Sequence, residues 1–571
     1  MENRNILDSW KEISEYLGRS VKTCQRLEKE LGLPVHRLEE SPRARVYAYK
    51  DEIDRWKNKT QHSERKTFLD NIRIKRILIS GSIVTIFAIA ILLWQFLPRQ
   101  SSVLSRKDKI SLAVLPFEDL SPSKELEYLA DGIADELITR LNSVGKLKVP
   151  AWTSAFSFKN RELDIKEIGQ ELNVGYVLDG SIQKTEDRLR IRVQLADVKD
   201  GYPIWSEKFE RDEIDIFSLQ DEISYAIVDL LKISLVEDER KKFLKRYTEN
   251  IEAYNLFLMG QHYSYNLTSE GGKKAIEYFQ QALQEDPNFA PAYLGLAGLY
   301  FGMASGGSVP PKEVNPKIKS YIQKALEIDD SLAEGYSYMG HFNAFCEWNF
   351  EQAEKNFKKA LSLNPYYPDS YLLYAMFLRV TGRHEEGISE LRRALELDPL
   401  NPILKAWYGL ALFCADYDDK AFEVLRAVLK KNPYLASAHL YLGTLYSKKS
   451  MLKEAISEME KAVEFGGERP SHVVFLAKAY WDAGKKAQAK KLFESLTQRS
   501  NYEYISPTVS FYINHFQDDD DQALEWMKRA CEERDSLLIY ARVQPIQEHR
   551  IPDTPKFNAV LKKYGLERLS K

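Results

Sequence analysis

Lys22, Thr23, Gln25, Arg26 and Lys29 fall on one side of a short run with helical period, and their types are those that a nucleic-acid groove calls for. A Gln amide can pair bidentately with adenine, an Arg guanidinium with guanine, and Lys and Thr can hold phosphate oxygens. The other side of the run carries Val21, Cys24, Leu27 and Leu31, which predicts an inward apolar stripe. A second stretch, Arg43-Ala44-Arg45-Val46-Tyr47-Ala48-Tyr49, alternates and predicts a strand with basic and aromatic residues interleaved, suited to contacts with a backbone or minor groove. Glu28, Glu30, Glu39 and Glu40 dilute this basic set, so a merely solvated charged face is the competing reading.

Positioning falls to short helices. Ser9-Trp10-Lys11-Glu12 reads as a capping box, and Trp10, Ile13 and Leu17 share a face of the helix it starts. Gly18 ends that helix, Ser20 caps the next, and a third over Asp51–Trp56 brings Ile53 and Trp56 to the core. Two helices across a tight turn, the second basic, make a helix-turn-helix pattern. LDSWKEISEYLGRSVKTCQRLEKELGLPVHR and RVYAYKDEIDRW together resemble the MerR- and excisionase-like winged helix-turn-helix modules of bacteria. The resemblance implies that Arg19, Lys22, Thr23, Gln25 and Arg26 face DNA, with Arg37, Arg43 and Arg45 on the wing side.

Ile77–Leu97 is an uncharged run of 21 residues. As a helix at ~1.5 Å per residue it spans about 30 Å, the hydrocarbon thickness of a bilayer. Its flanks carry Arg65, Lys66, Arg73, Lys75 and Arg76 before it and Arg99, Arg106, Lys107 and Lys109 after it, a slender bias to N-terminus-in. The stronger argument for that direction is that a DNA-binding module works only in the cytoplasm. Residues 1–76 carry a net +5 and the remainder −8, so the net −3 of the 571-residue chain hides a basic N-terminal part. Gly81 and Thr85 are a small-xxx-small hint of helix pairing.

Beyond the span, strand-like runs (Ile110–Pro116, Leu147–Pro150, Gly175–Ile182, Leu189–Leu195, Tyr202–Phe209) alternate with helical ones (Leu126–Leu141, Ile165–Leu172, Phe217–Leu235), which predicts an α/β domain. AVLPFEDLSP, YLADGIADELITRL, IGQELNVGYVLDGSI and GYPIWSEKFER look like the FlgO-like, TolB-N-terminal-like domain. That resemblance implies a fold and an envelope location and supplies no chemistry. Asp131 and Asp135 lie one helical turn apart, and surface or capping roles are expected of them; Trp152 and Trp205 are expected in the core.

Periodicity decides the remainder. Ala275-Phe279-Ala282-Pro287 returns as Ala353-Phe357-Ala360-Pro365, then as Gly387-Leu391-Ala394-Pro399 and Ala421-Leu425-Val428-Pro433. Ala455, Ala489 and Ala523 continue the same register, with Tyr293, Leu296, Ala297 and Tyr300 typical of the partner helices. The pattern resembles the tetratricopeptide repeat, with about eight helix pairs, interrupted around Ser305–Pro316. The resemblance implies a concave groove holding a protein or peptide.

The four cysteines show no paired spacing, and no HExxH, GxxxxGK[ST], GxSxG or GxGxxG occurs, so no enzyme, metal or cofactor is expected. Asp518–Asp521 is read as a solvated turn, not a calcium loop. The predicted architecture is multidomain and mainly α. It has a winged helix-turn-helix (5–60), a basic juxtamembrane linker (61–76), one transmembrane helix (77–97), a linker (98–109), an α/β FlgO-like domain (110–236), a TPR α-solenoid (250–535) and a C-terminal capping segment (536–571). The expected function is a homodimeric, membrane-anchored one-component transcriptional regulator: a single-pass inner-membrane protein with its N-terminus in the cytoplasm and its C-terminal domains in the periplasm. An envelope scaffold that binds proteins and not DNA is the alternative.

Overall fold

The computed structural model describes residues 6–38, 45–59 and 109–567, apart from residues 160, 162, 186–187, 213–215, 266–268, 306, 308, 545 and 547–548. The predicted spanning run 77–97, its flanking linkers up to residue 108, and Arg43 lie outside the described residues. Among the described residues no helix is long and apolar enough to cross a membrane. The chain divides into two compact units, residues 1–106 and 107–571.

In the first unit, α1 (Trp10–Leu17) starts at Ser9, whose hydroxyl accepts from the Glu12 amide at 3.3 Å. The Glu12 carboxylate accepts from the Asp8 amide at 2.9 Å, one residue earlier than the capping-box pattern predicts. Gly18, at φ +62°, closes α1, and the turn Gly18-Arg19-Ser20 leads into α2 (Val21–Leu31), which Ser20 caps through the Thr23 amide. β1 (Ile6–Leu7), β2 (His36–Arg37) and β3 (Val46–Tyr49) form an antiparallel sheet in the order β1-β3-β2, and α3 (50–59) follows. Leu7, Ile13, Cys24, Leu33, Val46, Ala48 and Ile53 make its core. Val21 and Leu31 depart from the predicted inward stripe, at 37% and 47% exposed, because this small core ends before α2 does.

The second unit opens with a mixed sheet. β4 (Ile110–Val114) runs parallel to β6 (Leu147–Lys148) and to β7 (Tyr176–Thr185), while β8 (Arg188–Asp197) and β9 (Tyr202–Asp212) extend β7 as an antiparallel meander. β5 (Glu118–Asp119) pairs with β7 beyond the end of β4. α4 (Glu127–Asn142) and α7 (Ile216–Leu230) share one apolar cluster with the sheet, and the short α5 (Trp152–Phe156) adds to it. α6 (Ile165–Leu172) covers the other face. The helix predicted over Phe217–Leu235 stops at Leu230, Lys232 turns at φ +53°, and the chain resumes as α8 (Glu237–Phe243).

Eight helix pairs follow among the described residues: α9 (Ile251–Tyr265) with α10 (Ser269–Glu285), α11 (Ala290–Ser305) with α12 (Pro311–Ile328), α13 (Ala333–Phe342, continued by a π turn to Glu347) with α14 (Phe350–Leu363), and α15 (Pro368–Val380) with α16 (His384–Leu397). The rest are α17 (Pro402–Cys414) with α18 (Asp418–Lys431), α19 (Ala436–Lys448) with α20 (Leu452–Gly466), α21 (Pro470–Asp482) with α22 (Lys486–Arg499), and α23 (Pro507–His515) with α24 (Asp520–Glu533). Their pairing is steric: a Cβ at Gly340 would meet Phe357 at 3.0 Å, and one at Gly409 or Gly443 would meet Leu425 or Met459 at 2.8 Å. In these pairs the glycine of the first helix is the seat for the large residue of the second. The predicted interruption around Ser305–Pro316 does not break the stack. Ile318, Ile322 and Ala325 of α12 are buried where other repeats place Ala, Phe and Ala.

The C-terminal segment does more than the predicted capping. α25 (Ser536–Arg542) turns back along the first helices, where Tyr540 stacks on Phe345 at 5.2 Å beneath Arg379 of α15. Ile546 joins the apolar cluster of Ala375 and Leu410, and His549 sits against Phe475 and Phe516. α26 (Pro555–Lys563) then closes on α24. The face predicted to hold a partner is thus partly covered, between α13 and α23, by the chain's own Tyr540, Ile546 and His549.

The α/β layer and the solenoid share a core. A Cβ on Gly132 of α4 would come within 2.6 Å of the Leu258 methyls of α9, so any larger residue there forces that side chain to shift. Beside this contact Arg140, 3% exposed, pairs with Glu136 at 2.5 Å and with Asp221, which also pairs with Arg246. At the far edge Ser154 donates to Asp398 and accepts from the Leu400 amide at 2.9 Å, and the Ala151 amide donates to the Leu397 carbonyl at 2.9 Å. Gly132→Ala is expected to lower stability by about 1–3 kcal/mol, the usual cost of overpacking, read by denaturant unfolding. An unchanged midpoint would show that α4 and α9 can move apart freely.

Candidate functional site

Two places merit the description. The first is the outer side of α2. Arg19 in the turn and Lys22, Gln25 and Arg26 on the helix are all exposed, and Arg45 is exposed where β3 begins. Arg26 makes only a loose, solvated pair with Glu30 at 3.7 Å. Two predicted DNA-facing residues are otherwise engaged. The half-buried Thr23 places its hydroxyl 2.8 Å from the Ser20 hydroxyl and so belongs to the helix cap. Arg37 forks onto Glu28 at 2.6 and 3.2 Å, which ties β2 to α2 and spends the guanidinium on orientation. His36 and Tyr47 stack at 5.2 Å and Tyr49 meets both edge-on, so the aromatic residues of this sheet pack on one another.

The second is a cavity of about 530 Å³ where α4 and α5 meet the first helices of the solenoid. Asp135 of α4, Trp152 of α5, Tyr265 of α9, Glu334 and Tyr338 of α13, and Tyr367 and Asp369 at the start of α15 line it. Burial, reinforced by the charge of Glu136, raises the Asp135 carboxyl to about 7. Burial likewise raises Asp369 to about 6, with Asp398 adding to the effect and the Tyr367 hydroxyl opposing it. Glu334 is raised mainly by burial. Tyr338 and Tyr367 are held neutral by burial and by the nearby carboxylates Glu334 and Asp369. The cations on the wall are already matched: Arg140 by Glu136 and Asp221, Arg246 by Asp221 and Glu249, and Lys245 by Asp329 at 2.5 Å. Among the described residues, Asp135, Glu334 and Asp369 have no ion-pair partner.

Asp135 therefore departs from the surface or capping role expected of it. Asp131, one turn away, is neutralised by Lys159 at 2.7 Å, with His262 at 3.5 Å. Trp152 is core on one side and cavity wall on the other. Glu334, Asp369 and the three tyrosines escaped sequence reasoning because the repeat pattern says nothing about the inner-face positions they fill. Asp519 caps α24 through the Gln522 amide at 3.1 Å, and Asp521 pairs with Lys556 at 2.9 Å. Among the described residues no group of His, Cys, Asp and Glu is placed to hold a metal. All four cysteines are free.

Residues 107–226 match the family described as HilA/YgeH-like transcriptional regulator, second domain, and residues 347–408 match the tetratricopeptide repeat. The chain thus carries a domain of the HilA/YgeH-like regulators, in the stretch read from sequence as FlgO-like, followed by TPR repeats. It is 32% identical over 230 residues to the putative adenylate cyclase 3 of Rhizobium meliloti, covering 40% of this chain and 39% of that protein. It is 23% identical over 359 residues to the transcriptional regulator HilA of Salmonella typhimurium, covering 61% of this chain and 62% of that one. The chain spans less than two thirds of the length of either relative. Among solved structures, YrrB, a TPR protein with an unusual peptide-binding site, is 23% identical, with 34% of this chain and 95% of that one covered at a TM-score of 0.24. PilF of Pseudomonas aeruginosa is 20% identical, with 40% and 97% covered and a TM-score of 0.30.

The raised carboxyls have a measurable sign. A carboxyl whose pKa is higher folded than unfolded contributes stability that is present below its unfolded value, about 4, and is lost as pH rises through its folded value. For Asp369 and Asp135 that window closes at about 6 and about 7. Asp135→Asn is expected to match the parent's melting temperature near pH ~4 and to exceed it near pH ~8. An identical pH profile for the two would place Asp135 in water.

Proposed function

We propose that the chain is a membrane-anchored one-component transcriptional regulator. The observation that carries this reading is the exposed row Arg19, Lys22, Gln25 and Arg26 on a helix held by a three-residue turn against a small, separate core, in a chain whose next domain matches HilA/YgeH-like regulators. In this reading α1 and α2 are a helix-turn-helix of MerR type, α2 lies in the major groove, and Arg45 reaches the backbone from the wing. Two copies bind paired half-sites, since one such module contacts too few base pairs for tight specific binding. Residues 77–97 cross the inner membrane, and the α/β domain and solenoid lie on the far side, where a ligand or protein partner changes dimerisation and so the pairing of the DNA modules. No catalytic step is assigned. The match to the putative cyclase covers 39% of that relative. An envelope scaffold without DNA binding is the second reading, favoured by the eight helix pairs.

Charge reversal at Lys22 and Arg26 in the full-length protein separates the two. The regulator reading expects the double variant to lose DNA affinity and to flatten the slope of log K against log salt by ~1 for each phosphate contact removed. Equal affinity and equal slope would leave the scaffold. Reporter fusions at residues 70 and 105 are expected on opposite sides of the membrane, with residue 70 in the cytoplasm; finding residue 70 outside defeats any DNA role.

A further inference from the structure

We propose that the cavity between the α/β domain and the solenoid is a binding site for a small organic diamine, its ammonium groups shared among Asp135, Glu334 and Asp369 along a wall that also carries Tyr265, Tyr338 and Tyr367. The inference stands on the cavity's own chemistry and does not depend on DNA binding. A volume of about 530 Å³ suits a small ligand. Its charge is one-sided: the wall's arginines and lysine are consumed in pairs with Glu136, Asp221, Glu249 and Asp329, while these three carboxylates are left over. The hydrogen-bonding capacity is one-sided too. Gln220, 1% exposed and part of the cavity wall, donates its amide to the Tyr254 hydroxyl at 2.8 Å, and its Oε1 has no hydrogen-bond partner. The unpartnered buried atom of the wall is therefore an acceptor, and the complementary ligand brings donors.

The alternatives fit less well. An anion would face the three carboxylates, and a neutral apolar molecule would leave their charge and the Gln220 Oε1 unmet. A hard metal ion needs several oxygens converging on a point, and among the described residues no such group exists. An ammonium offers only donors, carries the missing charge and is attracted to tyrosine faces, while a short carbon chain fills the space beside Trp152 and Phe257. With three carboxylates lacking cations, a molecule bearing amines at both ends satisfies more of the wall than one bearing a single amine.

The test is calorimetric titration of the purified full-length chain with 1,4-diaminobutane, with butylamine as the single-ended analogue and 1,4-butanediol and succinate as neutral and anionic controls. Saturable binding is expected for the diamine, weaker binding for butylamine and none for the controls. Asp135→Asn, Glu334→Gln and Asp369→Asn are each expected to weaken the diamine by about tenfold or more, the loss of one charge-assisted contact, without lowering the melting temperature. That pairing separates ligand contact from a structural role, because a structural carboxylate would lower stability when neutralised. Absence of saturable diamine binding by the parent protein overturns the proposal, as does equal binding by butanediol or unchanged affinity in all three variants. Failure of the Lys22 and Arg26 variants to affect DNA would leave this result untouched.

Discussion

The second unit depends on the close approach of α4 and α9 at Gly132 and Leu258. Without a side chain at 132 the helix of the α/β layer lies directly on the first helix of the solenoid, and one apolar cluster runs from Leu112 in the sheet to Phe289 in the repeats. Beside that contact the buried Arg140 of α4 pairs with Asp221 of α7, which also pairs with Arg246 in the segment leading to α9, so the end of the α/β layer is tied to the chain entering the solenoid. The cavity is the space that this contact and the Ser154–Asp398 contact leave open between them. Two modules clasped at both edges cannot close on the gap, so a polar hollow persists where a single layered domain would have packed shut.

That geometry explains why the hollow contains groups that folding alone disfavours. Placing the half-buried Asp135, Glu334 and Asp369 there without cations costs free energy, visible as carboxyls pushed toward their neutral form. A stability-driven core would have replaced them with apolar residues. Their placement on three different elements, one from the α/β layer and two from successive repeats, makes chance clustering on a single helix face an inadequate account.

Much of the fold was legible in the residues, and the exceptions are instructive. The solenoid follows from Ala353, Gly387 and Ala421 in register, because a small residue opposite a large one is a packing rule that sequence records directly. The α11–α12 pair was hidden because Ile318 and Ile322 meet the same packing need with other side chains. Outward positions on α2 were readable from period, yet the fates of Thr23 and Arg37 turned on Ser20 and Glu28, partners whose geometry no period encodes. The cavity was illegible for a deeper reason: its walls come from elements far apart in the chain, and each wall residue taken alone is an unremarkable Asp, Glu or Tyr.

The return of Tyr540, Ile546 and His549 along the first helices alters how the repeats behave as a set. Stacked repeats ordinarily form a quasi-linear array whose stability is a sum over neighbours and which can fray from either end. Here Tyr540, Ile546 and His549 of the C-terminal segment pack against helices from α13 to α23. The array becomes a tied bow, in which the tail is the string. Loosening the last helix slackens the middle of the stack, so the repeats are expected to melt as one cooperative block instead of unzipping turn by turn.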